Sequence, residues 1–176
     1  ADYNVAVGYN AMTQSTTAQR CVAVGREAGE SLTTGSFNTL LGYTAGHEIT
    51  TGYRNVAIGE ESAYFVTTGS LNVAVGNQTL HLLTTGTENT ALGFRACYGG
   101  TAGARNVGIG CSALKAVSTG NNNVAVGYHA MIALTTGNTN TAVGKNALMS
   151  ITTGTYCTAL GTGALAANTG GFNTAV

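Results

Sequence analysis

The sequence contains no proline, and charged residues make up only 8% of its 176 residues. Seven basic and seven acidic side chains leave no net charge. Nucleic-acid binding requires a basic surface that displaces the counterions of phosphates. Neutrality therefore argues against a nucleic-acid partner. Soluble domains usually carry about 25% charged residues, so the low charge predicts that other copies of the chain cover part of the surface.

Long hydrophobic runs and cysteine motifs are also missing. No stretch of about 18 consecutive apolar residues occurs, which predicts that this chain does not insert into a membrane. Four cysteines are present, but neither a Cys-x-x-Cys motif nor a mixed His–Cys spacing predicts zinc. Their places in the repeat described below keep them apart, so we predict that Cys21, Cys97, Cys111 and Cys157 are free thiols.

The dominant feature that is present is a repeat of seventeen residues, marked by asparagine. Cys21 and Cys157 fill two vacant places in the series. We number each repeat from this residue as position 0, and count coils from the first asparagine. A fixed short period predicts one structural unit stacked on copies of itself. The asparagines are Asn4, Asn38, Asn55, Asn72, Asn89, Asn106, Asn123 and Asn140.

Each repeat has the pattern of a short coil. The alternation in Val73-Ala74-Val75 predicts a strand at positions +1 to +3. Apolar residues at +8 and +11 predict a second strand, while the glycine at +4 and the Thr-Thr-Gly phrase predict corners. We therefore predict an all-β, parallel β-solenoid of about ten coils with two short strands each. We predict a single domain over residues 1–176, and its ends in mid-phrase predict a segment of a longer fibre.

The alternation also predicts which side chains face the core. We assign +1 and +3 to the interior and the small residue at +2 to the outside. An outward stripe of alanine permits close contact between subunits, so it predicts a homo-oligomer with closed symmetry. The alternative is that +2 faces a narrow interior and that +1 and +3 face outward, although their lack of charge counts against it. The predicted interface residues are Ala6, Ala23, Ala57, Ala74, Ala91, Ala125, Ala142 and Ala159.

The asparagines themselves are predicted to form an internal ladder. Their side-chain amides can bond up and down a stack of equivalent positions. We favour this structural role over ligand binding. The most irregular stretch is coil 6, around Cys97 and Gly99-Gly100, where we predict a local bend or loosened packing.

The sequence predicts no catalytic residue, no cofactor and no metal site. His47 and His81 share position +9 two coils apart, and His129 lies at +6. We expect all three at solvated edges. Glu60-Glu61 is predicted to be a surface pair with no nearby histidine to tune it. Variable aromatic residues at +5 and +9 are candidates for stacking on sugars or for covering neighbouring coils, and we favour the second.

The repeat unit also carries a family resemblance. The unit from Asn140 to Gly154 resembles the repeats of bacteriophage tail-fibre proteins and, more loosely, the head of trimeric autotransporter adhesins. Both resemblances imply a trimer, and the adhesin head implies a left-handed parallel β-roll. The adhesin period is fourteen, however, so the period of seventeen favours the fibre. This segment contains neither the membrane anchor of an adhesin nor the chaperone of a fibre.

Three functions follow as hypotheses. The first is a rigid trimeric shaft of a virion or extracellular fibre, which supports attachment to a host. The second is a bacterial surface adhesin whose shaft binds a cell-surface or glycan receptor directly. The third is an ice-binding solenoid. Adjacent threonines point to opposite faces of a strand, so the Thr-Thr pairs do not predict the two-column array that ice binding requires.

Overall fold

The computed structural model describes residues 3–176 and shows a parallel β-solenoid within that range. The eleven strands of the described residues form one sheet in sequence order, without crossovers. The strands are β1 Val5–Val7, β2 Val22–Val24, β3 Thr39–Leu41, β4 Val56–Ile58, β5 Val73–Val75, β6 Thr90–Leu92, β7 Val107–Ile109, β8 Val124–Val126, β9 Thr141–Val143, β10 Thr158–Leu160 and β11 Thr174–Ala175. Among the described residues, no helix has the length and apolarity needed to cross a membrane.

Neighbouring strands pair in parallel and in register. Val56 lies opposite Val73, which in turn lies opposite Thr90, so each step along the sheet is one repeat. The last repeat is one residue shorter than the others, because Thr158 pairs with Thr174. The predicted stack of about ten coils is therefore confirmed.

The prediction of two strands per coil is wrong, because each described coil contains one strand of three residues or fewer. The segment from +5 to +10 is built from turns. Residues at +6 and +8 have a positive φ, as Glu61 (52°) and Ala63 (53°) show in coil 4. A left-handed residue interrupts extended backbone, so the apolar residues at +7, +8 and +11 point inward from turns.

Backbone hydrogen bonds between coils continue through these turns. In coil 4, the Ala63 amide donates to the Thr79 carbonyl at 2.9 Å and Phe65 donates to His81 at 3.0 Å. At the next corner the Thr67 amide donates to the Thr84 carbonyl at 2.9 Å. Because buried backbone groups must find partners, this extended ladder explains how such short strands suffice.

The predicted orientation of the sheet is reversed. The alanines at +2 in coils 2 to 10 are fully buried within a single chain, whereas Ile58, Leu92 and Leu160 at +3 are 36%, 46% and 49% exposed. The alanines therefore cannot form a subunit interface, and the alternative assignment is the correct one. The buried residues of this set are Ala23, Ala57, Ala74, Ala91, Ala125, Ala142 and Ala159. Ala6 is exposed because it belongs to the first coil, at the end of the stack.

The interior is narrow, which explains why +2 is small. The buried alanines pack in one core with residues from the turns, such as Leu80, Leu83 and Leu114. Leu40 is the large exception at +2, and Gly29 and Gly46 provide its space. A Cβ on either glycine would lie 2.6 or 2.7 Å from a Leu40 methyl group, closer than carbon atoms approach.

Coil 6 does not break the stack. Its strand keeps the common register, with Ala91 opposite Gly108. Gly108 stands at +2 because a Cβ there would lie 2.6 Å from the Cys97 sulfur. Cys97 on the turn side thus meets a sheet residue that has no side chain, and the sequence irregularity is accommodated locally.

Candidate functional surfaces

The asparagine ladder is the most regular side-chain feature of the fold. The Asn55 Oδ1 accepts hydrogen bonds from the backbone amide of Asn72 at 3.0 Å and from its Nδ2 at 3.1 Å. The Asn72 Nδ2 also donates to the Gly86 carbonyl at 2.9 Å. The same arrangement links Asn38 to Asn140 through every coil between them. Asn4 begins the series at the stack end, where its Oδ1 accepts the Cys21 amide at 2.9 Å.

These asparagines are buried between Asn38 and Asn140, so they have no access to a ligand. Each asparagine pairs with backbone groups of a corner. Left buried and unpaired, each such group would cost about 1–3 kcal/mol. Their role is to hold consecutive coils together. The two cysteines interrupt the ladder near its ends, where the Cys21 sulfur accepts the Asn38 amide at 3.5 Å.

All four cysteines are free thiols, as predicted. Complete burial raises the pKa of Cys97 to about 12, and burial also raises the pKa of Cys21. Thiols react as thiolates, so neither residue has the character of a nucleophile near neutral pH.

A second ladder runs through the Thr-Thr-Gly corners. The hydroxyl at +12 donates to the carbonyl of the equivalent residue in the next coil, at 3.0 Å from Thr33 and 2.9 Å from Thr84. The threonine at +13, such as Thr34 or Thr85, is exposed. The +12 hydroxyls are hydrogen-bonded to backbone carbonyls, so only the +13 threonines of successive corners form a column that faces solvent. This single column gives no support to the ice-binding hypothesis, which requires two.

The exposed face of the sheet is an uncharged, largely apolar surface. In every coil the residues at +1 and +3 are Val, Ile, Leu or Thr, without a single charge. Val73 and Ile58 are 37% and 36% exposed, in the middle of the stack. At about 4.8 Å per coil, this face is a flat strip about 48 Å long. A contiguous apolar patch of several hundred Å² typically marks an interaction site.

A column of stacked rings occupies position +9. His47, Tyr64, His81 and Tyr98 follow one another in consecutive coils, with ring centroids 4.9, 5.5 and 5.1 Å apart. The faces of the inner rings cover each other, so only their edges are available to a ligand. His81 is 8% exposed, which contradicts the expectation of a solvated histidine. His129 stacks on Tyr128 at 3.7 Å.

Aromatic rings elsewhere also stack along the rod. Arg26 lies over Tyr9 and Tyr43, at 5.6 and 5.8 Å from the ring centroids. Arg20 and Arg54 both lie over Phe37, at 5.3 and 5.6 Å. These contacts follow the coil spacing, so the rings cover neighbouring coils as favoured from the sequence.

A shallow groove of about 280 Å³ lies beside the ring column. Its lining is Glu27, Tyr43, Thr44, Glu61, Tyr64, Phe65 and His81. Glu61 thus has a nearby histidine, contrary to the prediction, because its Oε2 lies 3.7 Å from His81 Nδ1. Glu60 remains on the surface and accepts a hydrogen bond from Asn77 at 2.8 Å. Burial, together with the nearby Glu48 and Glu61 carboxylates, raises the pKa of Tyr64.

Sequence reasoning missed the ring column and the groove. The signal was present in the sequence, since His47, Tyr64, His81 and Tyr98 all occupy position +9 of consecutive coils. What the sequence did not show is that a seventeen-residue step places those rings in direct contact.

Comparison with protein families, with curated proteins and with solved structures finds no match to this chain.

Proposed function

We propose that this chain is a rigid shaft segment of an extracellular or virion fibre, assembled from several copies that pack through the exposed sheet face. The uncharged +1 and +3 rows carry the proposal. In an isolated monomer, a strip of Val, Ile, Leu and Thr about 48 Å long stands in water, whereas packing against another copy removes it. The resemblance of the repeat to phage tail fibres supports three as the number of copies.

The mechanical part of the proposal rests on the ladders. Asn55, Asn72 and their equivalents bond every coil to the next, and the turns add backbone bonds at several further positions. Each coil contacts only its neighbours, so the stack extends without a change of design. Such a rod holds a binding tip away from its base, and the proposal assigns it no catalysis.

The test is the native mass of the particle, measured by light scattering and sedimentation. We expect an elongated trimer. Replacing Val73 and Val75 by lysine introduces two charges in the middle of the exposed face and is expected to shift the mass to that of a monomer. Leu82→Lys with Thr85→Lys is the matched control, because these residues are exposed on the turns.

A monomeric wild-type chain would refute the shaft proposal. Dissociation of the control as well as the sheet-face variant would place the interface elsewhere. Circular dichroism of each variant separates dissociation from unfolding. The trimer by itself does not distinguish a fibre from an adhesin head, and a neighbouring gene segment encoding a chaperone or a membrane anchor would do so.

A further inference from the structure

The acidic side chains of this chain are concentrated in one region. Of its seven acidic residues, five lie in coils 2 to 4, and two of its three histidines lie in coils 3 and 5. These are Glu27, Glu30, Glu48, Glu60 and Glu61, with His47 and His81. In a chain with 8% charged residues, this concentration is a departure from the repeat that stacking does not require.

Within the region, three side chains converge on one point. Glu27 and Glu30 are three residues apart in coil 2, and the Glu30 amide donates to the Glu27 carbonyl at 3.4 Å. His47 stands one coil further, with its Nε2 3.1 Å from Glu30 Oε2. One ligand atom from each of the three lies within 4.8 Å of the others.

The convergent side chains are half-buried. The side chains of Glu27, Glu30 and His47 are 18%, 23% and 17% exposed. Partial desolvation raises the cost of bringing carboxylates together and the gain from a cation between them. Arg26 supplies one positive charge at 3.0 Å from Glu27 Oε1, but its side chain is 60% exposed.

The His47 ring is held between two carboxylates, Glu48 at Nδ1 and Glu30 at Nε2. Its Nδ1 lies 2.8 Å from Glu48 Oε1, and its ring lies parallel to Tyr64, with 1° between the planes. In the tautomer whose Nδ1–H donates to Glu48, the lone pair of Nε2 faces Glu30. Histidine ligands of metals in proteins commonly donate their other ring N–H in this way.

One member of the cluster, Glu27, borders the groove that Tyr43, Thr44 and Glu61 continue. Water or an exogenous group has room there to complete a coordination shell. Three protein ligands with access for further ones are typical of open metal sites.

We propose that Glu27, Glu30 and His47 bind a divalent transition-metal ion, with Glu48 as a positioning residue. One imidazole nitrogen and two carboxylates suit ions such as Zn²⁺, whereas sites built for Ca²⁺ use oxygen ligands alone. The ion bridges coil 2 to coil 3. This proposal is independent of the shaft function, because it depends on one cluster and on no contact between copies.

The test is calorimetric titration of the full chain with Zn²⁺ alone. We expect about one ion per chain and an affinity lowered at least about tenfold by His47→Gln and by Glu30→Gln. Glu48→Gln keeps all three ligands and should weaken binding by about 10-fold or more. Controls are Glu88→Gln and His129→Gln, exposed or stacked away from the cluster, and Cys111→Ser, the half-exposed thiol.

Unchanged affinity in His47→Gln would overturn the proposal, and so would loss of binding in Cys111→Ser. Equal binding of Ca²⁺ and Zn²⁺ would show a diffuse acidic patch and would also overturn it. Thermal unfolding of each variant without metal shows whether the fold is intact. Glu30→Gln and Glu48→Gln are near-isosteric, so they remain informative if His47→Gln disturbs the ring column.

Discussion

At the residue scale, glycine at +4 meets two separate constraints. Gly59 has φ +126°, and a Cβ there would lie 2.6 Å from the Gly76 carbonyl oxygen of the next coil. Gly161 has the same φ of +126°, but nothing lies within 4 Å of its Cβ position. The chain therefore contains a pair of sites that separates backbone strain from steric contact between coils.

We predict that Gly161→Ala lowers the free energy of unfolding by about 1–3 kcal/mol, the strain of an unusual φ. Gly59→Ala should cost about 1–3 kcal/mol more, because the new methyl group also forces neighbouring backbones apart. Chemical denaturation of both variants measures the difference. Equal destabilisation by the two substitutions would contradict the steric part of this explanation.

The repeat itself predicted where glycine is required, since a corner recurs at fixed spacing. The physical reason why each corner requires glycine was not predictable from the sequence. Gly69 in the Thr-Thr-Gly corner has no positive φ, yet a Cβ there would lie 2.6 Å from the Gly86 carbonyl oxygen. Close approach of coils depends on atoms seventeen residues away, which no local pattern describes.

At the scale of the coil, the sheet side and the turn side are matched in volume. Leu40 is buried at +2 where the other coils have alanine or glycine, and Gly29 and Gly46 face it from the turns. The opposite case is Gly108 facing Cys97. The interior is thus filled pair by pair.

We predict strong coupling between Leu40 and Gly46. Leu40→Ala leaves a cavity and should cost about 2–5 kcal/mol. Gly46→Ala places a methyl group 2.7 Å from Leu40 Cδ2 and should also destabilise. The double variant should be more stable than the sum of the two losses by about 0.5–3 kcal/mol.

A double-mutant cycle from denaturation curves measures this coupling, and the φ cost of alanine at Gly46 (+61°) cancels within it. Leu40→Ala combined with Gly161→Ala is the control, because those sites lie several coils apart and should add. An additive result for Leu40 and Gly46 would show that the interior relaxes freely.

At the scale of the whole molecule, the coil is the unit of insertion and deletion. Deleting residues 124–140 joins Asn123 to Thr141 and removes one repeat of seventeen. The ladders then continue in register, so we predict a folded rod about 4.8 Å shorter. Its unfolding midpoint should fall only slightly, because one of several equivalent interfaces is lost.

Deleting residues 124–132 is the matched control. It removes about half a repeat and brings turn residues opposite strand residues, so the asparagine ladder and the core both lose their partners. Circular dichroism and small-angle scattering compare the two deletions. Equal tolerance of both would show that the register does not hold the stack together.

The sequence alone determined the period, the parallel stack, the corners and the internal asparagine ladder. Each follows from residues that recur at one spacing, and a ladder of Asn55, Asn72 and Asn89 requires only that equivalent positions meet.

The tertiary structure decided which face of Val73-Ala74-Val75 is inside. An alternation of period two fits either side equally well. The choice depends on the narrow core that Ala74 shares with Leu80 and Leu83. The ring column and the His47 cluster were likewise decided in three dimensions, because one coil brings together residues that the chain keeps seventeen apart.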